Sequence, residues 1–196
     1  MKTQREQLIQ TWITSVLNSD QFEINFLAGD ASFRRYARIS LNNKTFMLMD
    51  APPEQEDCRP FVSIDEFFDT HGVRVPHIVA KDLENGFLLL EDFGDVLLST
   101  LLDDLSVDQH YAQSFKQLVQ LQAIDGVAHF PAYSYEKLMS EMELLTDWLI
   151  PSLKIQLSTD EQALIKRTFA ILANAALAQP QVIVHRDFHS RNLMIL

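Results

Sequence analysis

Residues 182–196 read VIVHRDFHSRNLMIL: two short apolar runs, Val182–Val184 and Leu193–Leu196, around a polar insert from His185 to Asn192. Within the insert, His185, Asp187 and Asn192 follow the spacing H-x-D-x-x-x-x-N, with His189 between the last two. A carboxylate and an amide on one tight loop suit the transfer of a phosphoryl group to an alcohol. That reaction asks the protein for position and charge stabilisation rather than covalent help. Asp187 can orient a hydroxyl and receive its proton, and the amide oxygen of Asn192 can face a metal ion and phosphates. The competing reading is a polar hairpin whose Asp and Asn make only turn bonds. The short apolar, β-branched flanks predict a strand on either side of the loop.

The loop has to be carried by a soluble scaffold. The chain has 196 residues, 47% hydrophobic and 22% charged, with a formal charge of −11. That length suits one domain or two small lobes with a substantial core. The acidic balance offers no basic stripe for nucleic acid, so no nucleic-acid partner is expected. An anionic cofactor would need a local positive patch. Cys58 is the only cysteine, which excludes an internal disulfide and a cysteine zinc site. There is no apolar signal core and no membrane-spanning run, so a cytoplasmic protein without a membrane partner is expected.

Residues 2–18 read as a helix with Leu8, Trp12, Val16 and Leu17 (with Ile9 and Ile13) toward a core. Three strands follow, at 22–27, 32–40 and 45–50, with a turn at Ala28–Ser32 and a hairpin at Asn42-Asn43-Lys44. Arg34, Arg35 and Arg38 form the densest positive cluster. On a strand, Arg34 and Arg38 share one face and Arg35 takes the other; they supply the positive patch, or merely a solvated edge. Pro52-Pro53 forces a loop, and a helix runs from Pro60 to Thr70 with Glu66 in its middle. Strands at 78–81 and 86–91 precede the run Phe87–Gly94, where the chain changes from strand-rich to helical. The helical half is expected to turn Tyr111, Phe115, Leu118 and Leu121 inward, then Tyr135, Leu138, Met142, Leu145 and Leu149, then Leu164, Ile165, Phe169 and Leu172.

In this order the blocks GDASFRRY, MDAPPEQEDCRPF, FLLLEDFGD and VIVHRDFHSRNLM resemble the aminoglycoside-phosphotransferase/choline-kinase superfamily. Within it they look most like the N-terminal part of bacterial anomeric sugar kinases. These phosphorylate N-acetylmuramic acid and N-acetylglucosamine at C1 with ATP and Mg2+ during cell-wall recycling. The resemblance implies an α+β, two-lobed protein-kinase-like fold: an antiparallel-sheet N-lobe over residues 1–92 and a partial helical C-lobe over 93–196. It implies Asp187 as catalytic base and Asn192 as a magnesium ligand. Gly29, Asp30, Ala31 and Ser32 would form the nucleotide loop, and the main chain of Glu91 and Phe93 the adenine hinge. His185 would brace the loop, and His189 would brace it or touch substrate.

Two departures from that family modify the expectation. Met49 sits where relatives carry a phosphate-gripping lysine, which leaves Arg34 or Arg35 for the phosphates and Glu66 without its usual partner. The chain also ends at Leu196, before the aspartate that in the family binds the metal most directly. A weakly active or inactive fragment is therefore expected, with self-association through an incomplete C-lobe. The substrate is expected to be a small molecule, an amino sugar first, with aminoglycoside, choline or homoserine as alternatives. A nucleotide-binding module without catalysis is the competing class.

Overall fold

The computed structural model describes residues 3–28, 33–126 and 129–196. The chain divides into two compact units, Met1–Phe115 with Asp187–Leu196, and Lys116–Arg186. The first unit is built on a five-stranded antiparallel sheet in the order β1-β2-β3-β5-β4. Its strands are β1 (Glu23–Phe26), β2 (Arg35–Leu41), β3 (Lys44–Asp50), β4 (Ile78–Asp82) and β5 (Phe87–Glu91). Helix α1 (Gln4–Leu17) precedes the sheet, and α2 (Arg59–Thr70) connects β3 to β4.

Local chemistry sets these elements. Thr3 and Glu6 cap α1 reciprocally, and Asn18 ends it at φ 49°. The β2–β3 hairpin turns on Asn42 (φ 47°) and Asn43 (φ 62°), a residue type that tolerates left-handed backbone. Gly86 is required where the chain enters β5. Its φ is 71°, and a Cβ there would lie 1.8 Å from the Ala51 carbonyl oxygen.

The alternation of strand side chains divides the core in two. On one face Ile9 and Ile13 of α1 pack on Ala37, Ile39, Leu48, Phe87 and Leu89. On the other, Val62 of α2 packs with Met49, Ala51, Cys58, Leu88 and Leu90. Asp50 lies on the α1 face and is fully buried. Arg5 Nε donates to its Oδ1 at 2.7 Å and Arg35 Nε to its Oδ2 at 2.9 Å. Arg5 also donates to the Asn85 carbonyl and lies 4.8 Å over the Phe87 ring. One carboxylate thus joins α1, β2 and β3, and through Arg5 the β4–β5 turn.

Helix α3 (Val107–Gln122) starts in the first unit and ends in the second. The second unit also holds α4 (Tyr135–Leu144), a π turn at Leu145–Leu149, α5 (Ile150–Ser152) and α6 (Thr159–Leu177). Ser158 and Glu161 cap α6 reciprocally.

The inward faces differ from the expected ones in detail. Leu8, Phe115, Leu145, Leu149, Leu164 and Leu172 are exposed, while Ile9, Ile13, Leu121, Phe169 and Ala173 are buried. Periodicity gives the angle of a stripe only to within a neighbouring row, and small Ala173 lies closer to its neighbours than Leu172 can. The flanks of the polar loop are not strands either. Val182–Val184 has no ladder partner among the described residues, and Leu193–Leu196 makes one isolated antiparallel bridge, Met194 to Leu97. A β-branched run becomes a strand only when a partner edge is present.

Two stability predictions follow from the buried carboxylates. Asp50→Ala removes the shared partner of two arginines and lowers the unfolding free energy in urea by roughly 2–4 kcal/mol; a loss below about 1 kcal/mol would contradict the joining role. Asp65, on the core side of α2, is 7% exposed. Burial first, and then Asp69 and Glu66, push its carboxyl up to about 6. The folded state therefore holds a proton that the unfolded state has already lost, and stability falls as pH rises from about 4 to 6. Asp65→Asn flattens that slope and raises stability at pH 7, read from denaturation midpoints; an unchanged slope would refute the assignment.

Candidate functional site

In the polar loop, Asp187, His189 and Asn192 are exposed and bonded together. Asn192 Nδ2 donates to Asp187 Oδ2 at 2.5 Å and to the Asp187 carbonyl at 3.1 Å. Both bonds use the amide nitrogen and neither uses the Asn192 amide oxygen. His189 Nε2 lies 3.1 Å from Asp187 Oδ1. Its Nδ1 accepts the Arg191 N–H at 3.2 Å, which puts the imidazole proton on Nε2, facing the carboxylate. Asn192 N–H closes the turn onto the His189 carbonyl at 2.9 Å.

The residue before Asp187 is backbone-strained: Arg186 has φ 74°, sparsely populated for a residue with a Cβ. Within the second unit its guanidinium is 3.3 Å from Glu141 and lies over the Tyr133 ring. The boundary between the units falls between Arg186 and Asp187. His185, exposed, belongs to the second unit and the Asp187–Asn192 cluster to the first.

The loop is docked by main-chain bonds on the segment that follows β5. Leu98 N–H donates to the Leu193 carbonyl, Ser99 N–H to Ser190 and Ile195 N–H to Val96, at 2.8–2.9 Å. Immediately before that segment lie the expected hinge residues. Glu91 N–H is taken by the His77 carbonyl at 2.8 Å, while no acceptor among the described residues takes the Phe93 N–H. The expected hinge residues and the Asp187 loop thus fall within one unit.

The arginines separate as alternation requires. Arg35 is on the α1 face, paired with Asp50. Arg34, on the α2 side, donates to Glu56 at 2.6 Å and lies over Phe61. Burial pulls its pKa down, but the bonds to Glu56 and Tyr36 outweigh this and raise it. Arg38 holds Asp92 and Asp95 through both sides of its guanidinium and reaches the Gly94 carbonyl. Gly29, Asp30, Ala31 and Ser32 lie outside the described residues.

Sequence reasoning missed three pairings. Glu66 does have a lysine, Lys81 of β4, at 2.5 Å. Arg38 reaches acids 54 and 57 residues away, and Arg74 reaches Glu91 across 17. No local spacing encodes such contacts; only strand register brings them together.

Residues 23–196 match the phosphotransferase enzyme family. The chain belongs to that family. It is 42% identical over 169 residues to an N-acetylmuramate/N-acetylglucosamine kinase of Pseudomonas aeruginosa, covering 86% of this chain and 50% of that protein. It is 38% identical over 202 residues to a protein of the same name in Pseudomonas putida, covering 97% and 59%. The chain therefore spans little more than half the length of these phosphotransferase relatives. Among solved structures it is similar to a thermostable mutant of the aminoglycoside phosphotransferase APH(4)-Ia. The TM-score is 0.61 at 12% identity, over 95% of this chain and 67% of that one. The expected α+β phosphotransferase fold is thereby borne out. No helix of the described residues is long and apolar enough to cross a membrane.

The hydrogen-bond pattern of the loop is directly measurable. Nitrogen-15 spectra of neutral His189 should show Nε2 protonated and Nδ1 unprotonated, and Asp187→Ala should weaken that preference. A dominant Nδ1–H tautomer in the unmodified protein would contradict the arrangement.

Proposed function

We propose that this phosphotransferase-family chain carries the nucleotide and base elements of an ATP-dependent kinase. Its acceptor is a hydroxyl of a small molecule, an N-acetyl amino sugar at C1 in the first instance. The observation that carries the proposal is the bonded Asp187–His189–Asn192 cluster on a loop docked to the segment after β5, in a chain whose relatives are named as N-acetylmuramate/N-acetylglucosamine kinases. The alcohol oxygen attacks the terminal phosphorus, its proton passes to Asp187, and the bond to the ADP oxygen breaks. An anomeric hydroxyl is more acidic than other sugar hydroxyls, so a carboxylate that orients it and accepts the proton late is sufficient.

His189, held from both ring nitrogens, fixes the direction of the Asp187 carboxylate; this favours the bracing role over substrate contact. Adenine would meet the Glu91 carbonyl and the Phe93 N–H. Gly29–Ser32 would cover the phosphates, and Arg34, on the other face of the sheet from Arg35 and paired with Glu56, would approach them. No group of three metal-ligating His, Cys, Asp or Glu side chains occurs among the described residues. The donor chemistry still fits magnesium, which takes hard oxygens and keeps water and phosphate oxygens as most of its ligands. Asn192 would give it an amide oxygen, and the ion would neutralise charge on the transferring phosphates.

A second reading is a nucleotide-binding module without catalysis, favoured by the buried Met49 at the usual lysine position. Transfer from ATP to N-acetylglucosamine, N-acetylmuramic acid, an aminoglycoside, choline and homoserine separates the two. The proposal expects transfer to the amino sugars. Asp187→Ala should lower kcat by about 10²–10⁴-fold with ATP affinity preserved. ATP binding with no transfer to any acceptor would favour the module. An Asp187→Ala effect confined to KM would remove Asp187 as the base.

A further inference from the structure

The stretch Glu91–Asp95 at the end of β5 is held by two arginines. Arg38, from β2, takes Asp92, Gly94 and Asp95. Arg74, from the turn between α2 and β4, takes Glu91 and Phe93. Its NH1 and NH2 donate to the two Glu91 carboxylate oxygens at 2.8 and 2.5 Å, and its Cζ lies 4.5 Å above the Phe93 ring. A third bond to the Val75 carbonyl at 2.8 Å fixes the guanidinium itself. The Glu91 carboxylate also accepts the His77 N–H at 3.2 Å. The bond from Arg74 brings Glu91 below the usual carboxylate range, so the pair is ionised at neutral pH.

This geometry is more than a surface ion pair. A forked guanidinium with one face on an aromatic ring fixes both the carboxylate and the ring plane, which a lysine cannot do. With Glu91 and Phe93 tied on one side and Asp92 and Asp95 on the other, the side chains of the segment are occupied. The Phe93 N–H is left without an acceptor among the described residues.

We propose that Arg74 is a positioning residue for nucleobase binding: by clamping Glu91 and Phe93 it presets the main-chain edge that reads adenine. The inference rests on the hinge reading given under the proposed function. Holding the edge in its bound geometry before the ligand arrives lowers the ordering cost of binding. Nucleotide affinity then depends on Arg74 although Arg74 itself touches no nucleotide. The effect belongs to the base and not to the phosphates.

The test measures binding of Mg-ATP and of magnesium tripolyphosphate, which has the phosphates without a base, to the unmodified chain, Arg74→Ala and Arg74→Lys. Because the pair is half exposed, both variants should fold with melting temperatures close to that of the unmodified chain. Arg74→Ala is expected to weaken ATP by about five- to tenfold and leave tripolyphosphate unchanged. Arg74→Lys, which keeps the charge but loses the fork and the stack, should recover little. Unchanged ATP affinity in Arg74→Ala overturns the inference, and so does an equal loss for both ligands or full recovery by lysine. An unmodified chain that binds no ATP removes the nucleotide reading and this inference together; ATP binding that ignores Arg74 removes the inference alone.

Discussion

Strand alternation decides which charges of this protein can serve a site. β2 and β3 carry a charged or polar residue at several positions, and their two-residue period sends neighbours to opposite faces. Arg35 and Asp50 fall on the α1 face, where Asp50 is fully buried and joins α1 to the sheet. Arg34, Tyr36 and Arg38 fall on the α2 face with Met49. A one-residue slip of register would bury the wrong set on each side. The fold and the candidate site therefore rest on the same register, fixed at one end by the Asn42-Asn43 hairpin and at the other by Asp50.

The second constraint is the main-chain pairing of residues 96–99 with 190–195. It joins a segment near the middle of the chain to the loop that carries Asp187. Without it the loop's internal bonds would hold three polar side chains in good order beside nothing in particular. With it they are tied to the segment that follows β5 and the arginine-held residues 91–95.

Much of this was legible in the sequence. The five strands, α1, α2 and the hairpin follow from apolar periodicity and turn residues, and each forms within a few residues of its expected place. The spacing from Asp187 to Asn192 put a carboxylate and an amide on one loop, and in the fold the amide nitrogen donates to that carboxylate. What was not legible depends on distant partners. The Val182–Val184 run looks like a strand in isolation, and only the absence of a neighbouring edge among the described residues leaves it irregular. Glu66 seemed to lack a lysine because Met49 is the local candidate, whereas Lys81 reaches it from an edge strand. Arg34 and Arg35 were both open for the phosphates, and only the fold shows Arg35 paired with buried Asp50 and Arg34 with Glu56. Helix faces were placed to within one row, because a hydrophobic stripe is wider than the contact line it hides.

In the proposed function the Phe93 edge and the Asp187 loop serve one nucleotide. Residue-resolved amide hydrogen exchange with and without Mg-ATP tests it most directly. ATP is expected to slow exchange at Phe93 and within residues 187–192 together, with α6 unchanged. Protection confined to other parts of the chain, or no protection of either segment at saturating ATP, would contradict it.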